Sequence, residues 1–203
     1  DINISLENCR SLNTLSISGT VHSNVSFDIS IMSISSLSFL KLYKVSRVHA
    51  LPLNRLQRVS IIRCPHFKSL ENMEGIRSVH LEGLNHITSL VGLGSGNQFV
   101  KLVAMKNLND ITSLIDPTVV ELLDCPFILN LSILRVKILV ISNRNHQRNC
   151  NDSVINLLQE IEKMQDLRAI KLSFPLTYDM IKSLVFSLPY IIKLVLLIRD
   201  SDE

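Results

Sequence analysis

The chain has 203 residues, 46% of them hydrophobic, with six Gly, six Pro and a net charge of +3. The apolar share excludes a disordered chain, and the scarcity of Gly and Pro excludes collagen-like or low-complexity sequence. The small net charge selects no partner class, and the most apolar stretch, Leu184–Ile198, is broken by Ser187, Pro189 and Lys193, short of the roughly 18 uninterrupted apolar residues of a spanning helix.

One apolar phrase recurs along the chain. Ile4–Leu15, Leu40–Leu51, Val59–Leu70, Val79–Leu90, Val103–Leu114 and, more loosely, Val120–Leu131 share the form hxhxxhxxhxxh, with h apolar. The hxh pair sets two side chains on one face of a short strand. The triplets that follow, as in Leu84, Ile87, Leu90 and Leu93, turn one apolar residue inward every third position, the spacing of an extended or 3₁₀-like coil. Such a unit cannot bury its own apolar edges and must stack on its neighbours. Strand starts are predicted near residues 4, 25, 40, 59, 79, 103, 120, 138, 170 and 192.

In the first units, the initial residue is Asp, so a processed chain or a piece of a longer one is expected. Cys9, Cys64 and Cys125 each fall three residues after the second apolar residue of a pair. A shared repeat position implies buried, reduced thiols, which fits a reducing, cytoplasmic setting. No acidic residue occurs between Asp28 and Glu71, where Lys41, Lys44, Arg47, Arg55, Arg58, Arg63 and Lys68 lie with His49 and His66. The next units carry Glu71, Glu74, Glu82, Asp110, Asp116, Glu121 and Asp124. A field polarised in this way steers an acidic partner. Lys41, Lys44 and Arg63 flank strands and are expected to share one face; Arg47, Arg55, Arg58 and Lys68 are expected on turns or the far side. Tyr43 is the one aromatic expected to be exposed among these charges, since Phe39 and Phe67 sit near buried repeat positions. A single-strand binder needs aromatic platforms beside its cations, which argues against nucleic acid.

In the middle units, alternation turns outward the central residue of each pair: Ser5, Lys41, Ser60, His80, Ala104, Glu121, Leu139, Lys171 and Lys193. The two residues after each pair are expected to be accessible as well. Lys41, Tyr43, Lys44, Ile62, Arg63, His80, Glu82 and Lys106 are therefore the candidate partner contacts, a mixture of anchors and rim charges. Leu123, Leu139 and Ile141 either form an exposed apolar group or are buried by a one-residue slip. Steps between the starts at 40, 59, 79 and 103 are 19, 20 and 24 residues. Gly92-Leu-Gly94-Ser-Gly96-Asn97 falls in the long step and reads as a surface insertion; it lacks the Lys-Ser/Thr and spacing of a phosphate loop.

Residues 1–141 thus form short irregular units, and 142–203 form longer ones within a single array. Asp152 or Ser153 is expected to cap a helix carrying Val154, Leu157, Leu158, Ile161 and Met164 on one face. Thr177 is expected to cap a second, with Met180, Ile181, Leu184 and Val185 inward. Strands are expected at Leu167–Leu172 and Tyr190–Leu197. His146 and Cys150 have no second pair of ligands beside them, and no metal site is inferred. No nucleophile–base set or paired carboxylates emerge, so no enzyme and no cofactor are inferred.

Leu56-Gln-Arg-Val59-Ser-Ile61-Ile-Arg-Cys64 and Ile76-Arg-Ser-Val79-His-Leu81 match the strand portion of LxxLxLxxN/C. Over nearly its whole length the chain resembles a leucine-rich-repeat protein. Val59–Leu70 is similar to the irregular cytosolic repeats of plant immune receptors and F-box proteins. The resemblance implies an α/β fold: a curved solenoid with a parallel concave sheet, a coil or 3₁₀ convex side, and α-helices in the C-terminal repeats. It also implies a protein–protein interaction module that binds through the concave sheet and its rims. Alternatives are the substrate-recognition or sensor part of a larger signalling or ubiquitin-ligase protein, a structural subunit of a stable complex, and a β-helix enzyme. The chain departs from the pattern where Val45, Leu84 and Leu108 replace the polar ladder residue. No feature fixes an oligomeric state.

Overall fold

The structure, a computed structural model, describes residues 9–19, 26–27, 34, 36–45, 47–48, 56–68, 70–71, 73, 75–126, 130–143 and 151–196. Its strands in chain order are β1 (Thr14–Ser18), β2 (Ser26–Phe27), β3 (Phe39–Tyr43), β4 (Arg47–Val48), β5 (Arg58–Ile62), β6 (Ser78–Glu82), β7 (Phe99–Val103), β8 (Val119–Leu123), β9 (Ile138–Ser142), β10 (Ala169–Ser173) and β11 (Lys193–Leu196). Helix α1 (Asn151–Glu162) precedes β10 and α2 (Tyr178–Ser187) precedes β11. Nine strands form one all-parallel sheet in the order β1-β3-β5-β6-β7-β8-β9-β10-β11, while β2 and β4 pair separately. Within this sheet the strands lie side by side in chain order, which is the connectivity of a solenoid-like α/β array.

Alternation along the strands explains the core. One inward row runs from Leu15 through Val79 and Val100 to Leu194, and a second from Ile17 through Leu81 and Leu102 to Leu196. Each of these side chains lies beside the same row of the adjacent strands, on both sides except at the edge strands β1 and β11. The triplets form the rest of the core: Leu84, Ile87, Leu90 and Leu93 are buried, as are Met105, Leu108, Ile111 and Leu114. Successive turns close through i+3 amide bonds, with the amides of Ile87, Leu93, Leu108 and Leu114 donating to the carbonyls of Leu84, Leu90, Met105 and Ile111. Placing a fully buried Leu or Val in this stack contributes about 1.5–3 kcal/mol over leaving it exposed.

The expected starts at Leu40, Val59, Val79, Val120 and Ile170 coincide with inward pairs. The starts near 25, 138 and 192 also meet strands, but with a different sheet partner or inward face, and the start at 103 falls at the end of its strand. β1 occupies Thr14–Ser18, where no strand was expected; the pair at Ile4 lies outside the described residues. The segment near 25 joins the small second sheet, because β1 and β3 on either side of it pair directly with each other. In β7 the inward pair is Val100 and Leu102, one triplet earlier than Val103 and Met105. In β9 it is Leu139 and Ile141, which are buried. In β11 Leu194 and Leu196 face inward.

The corrected register evens out the array. The central outward residues Lys41, Ser60, His80, Lys101, Glu121 and Val140 are 19, 20, 21, 20 and 19 residues apart. No long step remains for an insertion at the glycines. Leu93 is fully buried, and Asn97 is buried with Nδ2 donating to the Ile76 carbonyl at 2.6 Å. The Gly-rich segment is one wall of a coil: a Cβ on Gly92 would lie 2.5 Å from the Leu70 carbonyl oxygen.

Helices α1 and α2 lead into the last two strands of the sheet. α1 starts at Asn151, so Asp152 and Ser153 lie in its first turn instead of capping it; Val154, Leu157, Leu158 and Ile161 are buried. Thr177 caps α2, its hydroxyl accepting from the Met180 amide at 3.3 Å. Leu184 is buried, whereas Val185 is exposed instead of inward. The last strand is the least covered: Phe186, Tyr190 and Ile192 are exposed, beside an apolar groove of about 260 Å³ lined by Leu184, Leu188 and Leu194.

Candidate functional site

The outward face of the sheet carries three rows of side chains in register. The first contains Phe39, Arg58, Ser78, Phe99, Val119 and Ile138. The central row contains Ser16, Lys41, Ser60, His80, Lys101, Glu121, Val140, Lys171 and Val195. The third contains Tyr43, Ile62, Glu82, Val103 and Leu123. From β3 to β8 a polar middle with Lys41, Lys101 and Glu121 therefore runs between two rows rich in apolar side chains. This pattern follows from the strand period, since each five-residue strand offers its first, third and fifth positions to the same side.

Directly after the strands the backbone takes a left-handed corner. Lys44, Arg63, Gly83, Ala104 and Asp124 all have backbone φ between 48 and 63°. Their amides donate to the last strand carbonyl of the following coil, as Lys44 does to Ile62 and Arg63 to Glu82. The corner sets Lys44 and Arg63 at the rim of the third row. A Cβ on Gly83 would lie 3.3 Å from Arg63 Cγ, so glycine leaves room for the arginine stem. Arg63 Nε reaches Glu82 Oε1 at 3.1 Å.

His80 occupies the middle of the central row. Its Nδ1 lies 3.3 Å from Ser60 Oγ, and its buried Nε2 has no hydrogen-bond partner, with Glu82 Oε2 at 3.9 Å. Burial lowers its pKa from the ordinary 6.5; Lys101 and Lys41 lower it further, while Glu82 and Glu121 oppose them. Lys101 and Glu121 form the next ion pair at 3.4 Å. Near pH 6.5 the folded chain thus binds fewer protons at His80 than the unfolded chain. Stability is therefore expected to fall as pH drops from above that value to below the folded-state pKa. His80→Gln is expected to flatten that part of the profile, measured as urea midpoints between about pH 8 and about pH 5.

The expected contacts divide clearly. Lys41 and His80 lie in the central row; Tyr43, Ile62 and Glu82 lie in the third, with Lys44 and Arg63 at its rim. Ile62 is nearly buried between its neighbours. Lys106 is misplaced: with β7 one triplet earlier, it sits in the exposed turn after Met105, and Lys101 takes the place expected for Ala104. Leu139 gives way to Val140, and Lys193 to Val195. Of the expected apolar group Leu123, Leu139 and Ile141, Leu123 alone faces outward. Phe39 is also corrected: it stands on the outward face, and Arg58 stacks on its ring at 5.3 Å instead of lying on a turn. Phe67 is buried as expected; Arg55 and His49 lie outside the described residues, as do the side chain of Arg47 and Cys150. The sequence held a signal for Lys101, because Phe99-Val-Lys-Leu-Val103 repeats Phe39-Leu-Lys-Leu-Tyr43.

Cys64 and Cys125 are buried free thiols, whereas Cys9 is exposed because it precedes the first strand of the sheet and no described coil packs over it. Burial raises the pKa of Cys64 and Cys125, which disfavours the thiolate. Their Sγ atoms serve the backbone, that of Cys125 lying 3.5 Å from the Leu102 carbonyl. The equivalent ladder residue in β7's coil is Met105, not Leu108. Among the described residues no three His, Cys, Asp or Glu side chains are grouped to hold a metal ion, and no helix is long and apolar enough to cross a membrane. No protein-family model matches the chain, and no curated protein matches it in sequence.

Proposed function

We propose that the chain is a leucine-rich-repeat protein of the irregular type, without catalytic activity, that binds another protein through the outward face of its parallel sheet. One observation carries this reading: nine parallel strands are in continuous register, and from β3 to β8 their outward face sets a polar central row between rows rich in Phe, Tyr, Val, Ile and Leu. A face ordered by the array loses little conformational entropy on association. Its mixture of aromatic, aliphatic and paired ionic groups is the composition that protein interfaces use. The buried free thiols support a reducing compartment such as the cytoplasm.

The test uses matched charge substitutions. Val103→Glu and Leu123→Glu lie on the outward face, whereas Val91→Glu and Ile115→Glu lie at exposed positions between strands, in a turn and in a bridge to Ser95. Proteins retained by the purified chain from a native extract should be lost with the first pair and kept with the second. Loss with both pairs, or with neither, would contradict the reading. A second reading, a subunit of a stable assembly, is favoured by the exposed apolar side chains of the last coil. It predicts association of the isolated chain in size-exclusion chromatography that Phe186→Ser and Ile192→Ser abolish.

A further inference from the structure

Resting on the sheet-face reading, we infer that the partner presents an acidic segment to β3 and β5 and apolar side chains to β7 and β8. Among these four strands the unbalanced cations lie on the first two; Lys171 and Lys193 stand apart from them on β10 and β11. Arg58 stacks on Phe39 at 5.3 Å, Lys44 lies 5.0 Å from the Tyr43 ring, and Lys41 stands between the two aromatics. On the β1 side the outward residues are Thr14, Ser16 and Ser18, which carry no charge. On the other side the first carboxylate is Glu82, already paired with Arg63. Among the described residues, no carboxylate is within ion-pair distance of Lys41, Lys44 or Arg58.

The aromatic rings hold two of these cations in place, so fixing them costs a ligand little. Rows one and two are two residues apart along the strand, about 7 Å. Arg58 and Lys41 lie diagonally across the adjacent β5 and β3, about 8 Å apart, so a segment crossing the two strands with carboxylates at alternate residues can meet both. On β7 and β8 Lys101 and Glu121 balance each other, and the flanking rows become aliphatic at Val103, Leu123 and Val119. A peptide can change from acidic to apolar over that distance. A nucleic-acid strand cannot: its phosphates continue past β5 over Glu82 and the balanced Lys101–Glu121 pair, where they gain no net attraction.

The experiment selects short random peptides displayed on phage against the purified chain, then titrates the best labelled peptide in solution. Acidic residues next to Leu, Ile or Phe should be enriched. Lys41→Glu/Arg58→Glu should weaken binding by at least about tenfold, and Leu123→Arg should weaken it as well. If the charge reversal disturbs folding, judged by circular dichroism, Lys41→Gln/Arg58→Gln should still produce a clear loss. Peptides without acidic enrichment, or affinity unchanged by the Lys41 and Arg58 substitutions, would overturn the inference. If Leu123→Arg alone weakens binding, the sheet-face reading stands and the acidic partner falls; if neither substitution matters, both fall. An oligothymidylate bound more tightly than the peptides through Lys41 and Arg58 would replace the acidic peptide with nucleic acid.

Discussion

Leu102→Ala is expected to lower the free energy of unfolding by about 2–5 kcal/mol. Leu102 is fully buried, and its register partners are Leu81 on β6 and Leu122 on β8. Removing its isobutyl group leaves a void that the rigid rows on either side cannot close. The adjacent Val103→Ala, on the outward face, should cost far less, about 1 kcal/mol or below. These two substitutions decide the register of β7. If Val103 and Met105 were the inward pair, the order of the two losses would be reversed. Urea denaturation of both variants measures the difference directly. Because each coil touches only its neighbours, the Leu102 variant should also unfold less cooperatively, with the damage centred on the middle of the array.

Gly92→Ala is expected to destabilise the chain by about 2–5 kcal/mol, combining backbone strain and overpacking. Gly92 has φ +103°, and a Cβ there would meet the Leu70 carbonyl oxygen at 2.5 Å, its carbon at 2.6 Å and the Glu71 nitrogen at 2.9 Å. All three are backbone atoms, so no side-chain rotation relieves the contact. Gly75 supplies the comparison: its φ is +79°, but nothing lies within 4 Å of the added Cβ. Gly75→Ala should therefore cost only the left-handed strain, about 1–2 kcal/mol. Thermal or urea unfolding of the pair separates coil-to-coil contact from conformation. Equal losses would show that the coils bearing Gly92 and Leu70 do not touch. An exposed insertion at residues 92–97 would tolerate the Gly92 substitution about as well as the Gly75 one.

The stacked architecture was legible because the hxh pairs and triplets are the direct imprint of two buried strand rows and a buried coil. Register was less legible, for a physical reason visible in β7. Val100-Lys-Leu102-Val-Ala-Met105-Lys-Asn-Leu108 contains overlapping solutions, since moving the pair by one triplet leaves the following period of three intact. Even spacing between coils, together with the Phe99 and Phe39 parallel, breaks the tie. In β9, Ile138-Leu139-Val140-Ile141 is apolar throughout and carries no phase; only pairing with β8 and β10 assigns its faces. The candidate site inherited both errors. Lys41, Tyr43, His80 and Glu82 were recoverable from alternation alone, whereas Lys101, Arg58 and Phe39 depended on which strand position came first. The Arg63–Glu82 pair and the solitary Nε2 of His80 depend on neighbouring coils, and no single-coil pattern contains them.

The most direct test of the binding face is photo-crosslinking from two positions in one coil. A benzophenone amino acid replaces Lys101, in the central outward row, or Lys106, in the turn beyond the strand. Each variant is irradiated with the same selected peptide or captured protein. Covalent adducts should form from position 101 and be absent from position 106. Adducts from position 106 with none from position 101 would contradict the account.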